Sequence, residues 1–269
     1  MRTINLIAMA LLLFVSCKEQ KKTDQPVIHD SIPIDSTAAR SELPVGLMEV
    51  LKAHGGIDRW NEMRNLCFEF EKDSGKEIHT VSLPERMVKI EGPDWSIGKD
   101  KEQLWLLQQK ANAYKGDPRF YYDLMFYFYA MPFVLADDGI KYSEVKGAEL
   151  DGKVYEGIKI GYDAGIGFSP QDEYILYYEP ENFEMVWLAY TVTRGEDEKS
   201  DDWHYIKYDD WQEVNGIKVP EKISWYSVEN NAPVKKRNSI VFKKVNLTAT
   251  ELEASVFAMP ETATAVDQK

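Results

Sequence analysis

The stretch Glu173-Tyr174-Ile175-Leu176-Tyr177-Tyr178-Glu179-Pro180-Glu181-Asn182-Phe183-Glu184-Met185-Val186-Trp187-Leu188-Ala189-Tyr190 decides the fold. It reads as two β-rich runs about a Glu-Pro-Glu-Asn turn. A link this short makes them antiparallel neighbours, because a parallel pair needs a long crossover. Both runs are apolar at consecutive rather than alternate positions. A sheet covered on both faces does that, and so does one wrapped around an interior while its outer face packs elsewhere.

Hairpin signals flank this pair. Asp151-Gly152 and Asn215-Gly216 are the dipeptides that close two-residue turns. Strand-like segments surround them at 141–150, 153–162, 203–213, 217–227 and 238–247. An earlier set lies at 66–71, 77–83, 87–91, 95–99 and 103–108, broken by turn residues such as Asp73-Ser74-Gly75-Lys76 and Gly92-Pro93-Asp94. The expected fold is mainly β (α+β): a large curved antiparallel sheet forming an incomplete barrel. No repeat of roughly 20–50 residues is present, which excludes a propeller or solenoid.

Two helical elements interrupt the strands. Near the start, Pro44 suits a first helical turn, Leu47, Val50 and Leu51 share one face, and Gly55-Gly56 end it. A second short turn, 58–63, carries Trp60. In mid-chain, Asp117 can cap and Pro118 fits the first helical position, so the pattern predicts one helix reaching about Ala130, stopped before Pro132. Eight of the fourteen residues from 120 to 133 are aromatic, against 12% for the chain. Phe120, Leu124, Phe128 and Met131 would line one side of that helix, with Tyr121 and Met125 beside them. One expectation is a lid facing an acyl-chain cavity, since aromatics give contact area and Met adapts to irregular ligands. The other is a plug that fills the sheet and leaves no cavity; sequence carries no volume, and both stand.

The N-terminus has its own logic. Arg2, the apolar run from Leu6 to Val15 and small Ser16 form a signal peptide at 1–16, too short to span a bilayer. Cys17 then sits where a bacterial lipoprotein is acylated. Residues 17–40 are polar, contain Pro26 and Pro33, and read as a disordered tether. The expected layout is a single half-barrel domain at 41–262 with a C-terminal tail at 263–269, the whole anchored in the cell envelope, at the outer membrane, through Cys17.

Composition excludes several functions. The net charge of −13 disfavours nucleic acid and anionic surfaces. Lys235-Lys236-Arg237 is turn-sized and reads as a solvated loop. With Cys17 committed to lipid, Cys67 is left alone, so neither a disulfide nor a Cys-rich zinc site is available. His29, His54, His79 and His204 lack ligand spacing, and no metal or other cofactor is expected. His54, beside Gly55-Gly56, reads as a helix-end residue whose protonated ring would suit the local dipole. The acidic run 196–202 lacks the spaced loop of a calcium site. Gly167-Phe168-Ser169-Pro170 is no nucleophile elbow, and the glycine-rich 161–167 lacks a phosphate loop's Lys-Ser/Thr.

The stretch Asn215-Gly216-Ile217-Lys218-Val219-Pro220-Glu221-Lys222-Ile223 resembles the G-x-x-x-P-x-x-I strand opening found late in LolA-type and LppX-type half-barrels. The hairpin at 173–190 resembles their central hairpin, and Ser255-Val256-Phe257-Ala258-Met259-Pro260 their Phe-x-x-Pro ending. Ala53-His54-Gly55-Gly56-Ile57 through Trp60 resembles the opening of a family of Gram-negative envelope lipoproteins of this shape. The resemblance implies a hydrophobic cavity closed by a helical lid and a role in carrying lipids or acylated proteins. The expected function is therefore a membrane-anchored lipoprotein that binds a lipid or acyl chain, not an enzyme. The expected lining is Phe120, Tyr121, Leu124, Met125, Phe128 and Met131. The alternatives are an envelope interaction module with a filled core and a glycan or lipid hydrolase. The latter would need a cleft with paired carboxylates of raised pKa.

Overall fold

Among the described residues fourteen strands form two antiparallel sheets, and the shortest link between them is a single residue. The computed structural model describes residues 43–162, 169, 171–193 and 198–267. The leader at 1–16, Cys17, the tether at 17–40, most of 161–167 and part of the acidic run 196–202 lie outside the described residues. In chain order the strands are β1 (Asn65–Lys72), β2 (Gly75–Ser82), β3 (Met87–Glu91), β4 (Trp95–Lys99), β5 (Leu104–Gln108), β6 (Ile140–Leu150), β7 (Lys153–Tyr162), β8 (Tyr174–Tyr178), β9 (Met185–Tyr190), β10 (His204–Val214), β11 (Ile217–Glu229), β12 (Ala232–Val241), β13 (Lys243–Thr248) and β14 (Thr264–Val266). Sheet one is ordered β13-β1-β2-β3-β4-β5-β14 and sheet two β12-β11-β10-β9-β8-β7-β6. Only Phe242 separates β12 from β13, and its N–H donates to the Glu221 carbonyl at 2.8 Å. The sheets thus meet at one seam while β14 and β6 remain unjoined, which gives the expected incomplete barrel.

The hairpin chemistry is where the sequence puts it. Asp151 and Gly152 have φ of 53° and 75°, Asn215 and Gly216 of 52° and 79°. Both pairs supply the left-handed backbone that matches strand twist. The N-terminal helices, α1 (Val45–Ala53) and α2 (Ile57–Glu62), bury Leu47, Val50, Leu51 and Trp60. They dock on the β10–β11 turn, where the Lys218 N–H donates to the His54 carbonyl and Arg59 Nε to the Asn215 carbonyl, both at 2.9 Å. Gly55, at φ 108°, makes that approach possible: a Cβ there would lie 2.4 Å from the Gly216 carbonyl oxygen.

Several expectations need correction. His54 does end α1, but it is fully buried and packs edge-on against Trp211 at 4.5 Å between centroids. Desolvation by burial lowers its pKa to about 4, so the ring is neutral and the dipole argument fails. The single mid-chain helix is two, α3 (Pro118–Tyr121) and α4 (Leu124–Tyr129), followed by a 3₁₀ turn at Phe133–Ala136. Asp117 caps α3 as expected, accepting from the Arg119 N–H at 2.9 Å. The break falls at Asp123, with φ −117°, a residue type that favours caps over helix interiors. Lys235, Lys236 and Arg237 lie in β12, not in a loop; the turn is Asn230-Asn231, with φ of 51° and 59°. Residues 234–239 are all exposed, so this edge strand shows no burial alternation for sequence reasoning to find. In addition, Thr264–Val266, within the stretch expected as a tail, pairs with β5 as β14.

Alternation along the deciding hairpin explains its two apolar faces. Leu176, Tyr178, Leu188 and Ile206 join the main core with the 118–136 segment. Ile175, Tyr177, Trp187, Ala189 and Tyr205 form a second cluster on the opposite face, which no helix among the described residues joins. Lys207 covers it, with its ammonium 5.0 Å from the Trp187 ring centroid and 2.6 Å from Asp151. The sequence gives two explanations for such a run, and the second, an outer face with its own packing, is the one found.

Candidate functional site

The segment 118–136 fills the space between the sheets unevenly. Towards sheet one it packs solid: Tyr129 stacks on Phe68 at 4.5 Å, meets Phe242 at 4.6 Å, and is fully buried, as are Phe68 and Met131. Phe133 stacks on Trp60 at 4.6 Å. Towards the β6–β8 end of sheet two, a cavity of about 260 Å³ remains. That is far above the roughly 10–15 Å³ that admits one water. It lies just below the roughly 300–1,000 Å³ usual for small-molecule pockets.

Its walls come from four places. The α3–α4 stretch gives Arg119, Phe120, Asp123, Leu124, Tyr127 and Phe128, and the turn after it gives Val134, Asp137 and Asp138. The ends of β6 and β7 give Ile140 and Tyr162, and the start of β8, with residues before it, gives Ser169, Asp172 and Tyr174. The Tyr127 and Tyr162 hydroxyls hydrogen-bond each other. Tyr174 lies 5.6 Å from Tyr127 and 5.9 Å from Tyr162 between centroids, nearly perpendicular to the latter at 86°. Phe128 backs the site against Tyr190 at 5.2 Å.

Carboxylates share these walls with rings. Desolvation raises the Asp123 pKa to about 6 and holds Asp137 and Asp172 above the usual range. Asp137 accepts from Arg86 Nη2 at both carboxylate oxygens, at 2.8 and 2.7 Å. Asp172, 8% exposed, accepts from the Thr193 N–H at 2.6 Å and hydroxyl at 2.7 Å. Tyr127, Tyr162 and Tyr174 are all pushed up by burial and stay protonated.

Among the residues expected to line a site, Phe120, Leu124 and Phe128 meet at this cavity. Met125 and Met131 sit in the core instead. Tyr121 turns towards sheet one, where its hydroxyl donates to Glu77 Oε2 at 2.5 Å and receives a bond from Lys72. Lys72 also reaches Glu77 Oε1 at 3.1 Å, and His79 Nε2 lies 3.4 Å from Glu77 Oε2. Burial would raise the Glu77 pKa, but the bonds from His79 and Tyr121 and the Lys72 charge outweigh it and leave it lowered. Burial also lowers the His79 pKa, and the ring stacks on Phe68 at 4.9 Å.

Sequence reasoning missed Asp123, Asp172, Tyr127, Tyr162 and Tyr174. Tyr127 and Asp123 stood within the aromatic run, Asp123 at the break between α3 and α4, whereas Tyr162, Asp172 and Tyr174 lie at or beside strand ends where no period marks them. Among the described residues no group of three His, Cys, Asp or Glu side chains could hold a metal ion, and no helix is long and apolar enough to cross a membrane.

Comparison with solved structures finds a DUF1329 family protein from Desulfovibrio piger at 9% identity and TM-score 0.46, covering 79% of this chain and 95% of that one. A LolA superfamily protein from Nitrosomonas europaea is similar at 10% identity and TM-score 0.41, over 76% of this chain and 96% of that one. The Mycobacterium tuberculosis lipoprotein LppX follows at 11% and TM-score 0.24, over 55% and 88%. No curated protein matches the sequence. One family model matches residues 98–240, more than half of the 269-residue chain and every wall of the cavity. The chain belongs to that family, a family of unknown function (DUF6503).

Proposed function

We propose that this protein binds a small hydrophobic or amphiphilic ligand in the cavity between its aromatic segment and sheet two. The observation that carries the reading is the space itself: about 260 Å³ stays open beside the aromatic segment, lined by rings on one side and carboxylates on another. Phe120, Leu124, Phe128, Val134 and Ile140 give it an apolar wall, and the tyrosines and aspartates give it a polar one. A volume of this size suits one short chain or one headgroup, not a whole diacyl lipid. The Cys17 context supports an acylated protein held in the bacterial envelope, at the outer membrane, with residues 17–40 as tether. A fixed anchor suits a receptor or sensor at one membrane better than a shuttle.

The test is mass spectrometry of the full chain, purified gently from a Gram-negative host, with an organic extract of the same sample. A stoichiometric small amphiphile, displaced by phenylnaphthylamine, is the expected result. A clean apo mass together with no phenylnaphthylamine binding would overturn the reading in favour of a docking module with a filled core.

A second reading rests on the carboxylates. Asp123 and Asp172, both raised by burial, flank one cavity, as the acid of a glycan or lipid hydrolase would. An acid–base couple, however, needs environments that drive its two pKa values apart. Here burial moves Asp123, Asp137 and Asp172 in the same direction, which favours a binding wall.

A further inference from the structure

The cavity wall is short of positive charge. Four aspartates line it, Asp123, Asp137, Asp138 and Asp172, against one cation, Arg119. Arg119 is drawn to Asp117, with Nη2 at 2.7 Å from Oδ2, and Asp117 is not part of the wall. Arg86 pairs directly with Asp137, and its charge offsets Asp123 only in part, since burial still holds Asp123 above the usual range. Asp172 is nine-tenths buried, and both hydrogen bonds it receives from Thr193 fall on Oδ1. Among the described residues no donor reaches its Oδ2.

The rings complete the picture. Tyr127, Tyr162 and Tyr174 stand at 51° and 86° to one another around shared space, so they present faces from several directions. Aromatic faces attract cations, most strongly where water is excluded. The Tyr127 and Tyr162 hydroxyls are committed to each other, which leaves their rings as the recognition surface.

We infer that the ligand of this cavity is an organic cation, an amine or quaternary ammonium group on a short apolar chain. This rests on the proposal that the cavity is a ligand site. The ammonium group sits among Tyr127, Tyr162 and Tyr174 with Asp172 as its counter-charge, and the chain lies on Phe120, Leu124 and Ile140. An anionic headgroup would face Asp138 and Asp172, which no described cation pairs with, and Asp123, which Arg86 offsets only in part. The burial that raises Asp123 and Asp172 is relieved by a bound cation. The overall charge of −13 draws cations towards the molecule from a distance as well.

The experiment is calorimetric titration of the full chain with three probes of one chain length, each below its micellar concentration: decyltrimethylammonium, decanol and decanoate. Decyltrimethylammonium is expected to bind at least about tenfold more tightly than decanoate, the equivalent of about 1.4 kcal/mol. Asp172→Asn is expected to reduce that preference to about threefold or less; because Asp172 also holds Thr193, Asp123→Asn provides a second variant with the same expected direction. Leu124→Trp, which fills the space, is expected to abolish binding. Decanoate binding as tightly as the ammonium probe overturns the cation inference and leaves the ligand site standing. Ammonium binding that survives Leu124→Trp overturns the inference as non-specific attraction to an acidic surface. Failure of all three probes overturns the ligand site itself.

Discussion

The same short segment, 118–136, meets the two sheets in opposite ways. Against sheet one it is a plug: Tyr129 lies on Phe68, Phe68 on His79, and Tyr121 closes a buried network with Glu77 and Lys72. Against sheet two it is a wall, with Phe120, Leu124 and Tyr127 facing open volume. The polar groups differ in kind too. Glu77 is ringed by donors and stays ionised, whereas at Asp123 and Asp172 burial outweighs the hydrogen bonds from Tyr122 and Thr193 and holds the carboxyls towards their neutral forms. One side is closed by stacked rings around a paired carboxylate, and the other leaves space between rings and carboxylates.

The largest break in this comparison is Phe68→Ala. The ring is fully buried between His79 and Tyr129, so its loss should cost about 3–5 kcal/mol in urea unfolding. A cost below about 1 kcal/mol would mean that the sheet-one side is not close-packed. Next comes Tyr121→Phe, which deprives buried Glu77 of a donor and should cost roughly 1–3 kcal/mol. No change there would place the Glu77 network in contact with water.

Acid titration sharpens the contrast further. Asp123 has a folded pKa of about 6 against an ordinary 3.8, so the native state holds more protons between those values. Its contribution is therefore present below 3.8 and lost as pH rises towards 6. His54 runs the other way: with a folded pKa of about 4 against 6.5, its contribution is present above 6.5 and lost as pH falls towards 4. Asp123→Asn should accordingly steepen the loss of stability on acidification between pH 6 and 4, and His54→Gln should flatten it. Denaturant melts across that range decide it, and unchanged profiles in both variants would contradict the two burials. The smallest expected effect is Leu124→Trp on folding. Because it enters open space, stability should shift by less than about 1.5 kcal/mol while ligand uptake disappears.

Much of the frame was legible in the residues. Asp151-Gly152 and Asn215-Gly216 fixed two turns, and the doubly apolar strands around 173–190 announced a sheet with two packed faces. The cap at Asp117 and the density of rings from 120 to 133 located the element that divides plug from wall. What failed to show was anything set by the other side of a contact. Tyr121 and Leu124 look alike in an aromatic run, yet one finds Glu77 and the other finds space. His54 looks like an exposed helix end until the β10–β11 turn and Trp211 close over it. Residues 235–237 look like a loop because an edge strand exposed on both faces has no pattern to display.

The two edges of sheet one are completed from far along the chain. β13 pairs with β1, so that Leu66 faces Leu247, and β14 pairs with β5, so that Trp105 faces Ala265. Sheet two, by contrast, is built from neighbours in order, β6 through β12. During synthesis β1 to β5 emerge first but wait for their flanks until residues 243–266 exist, while sheet two can zip as it appears. Until then β1 and β5 offer bare backbone to any passing strand. A ribosome that stops some thirty residues early would release a chain with nearly all of its core residues and an open template for aggregation.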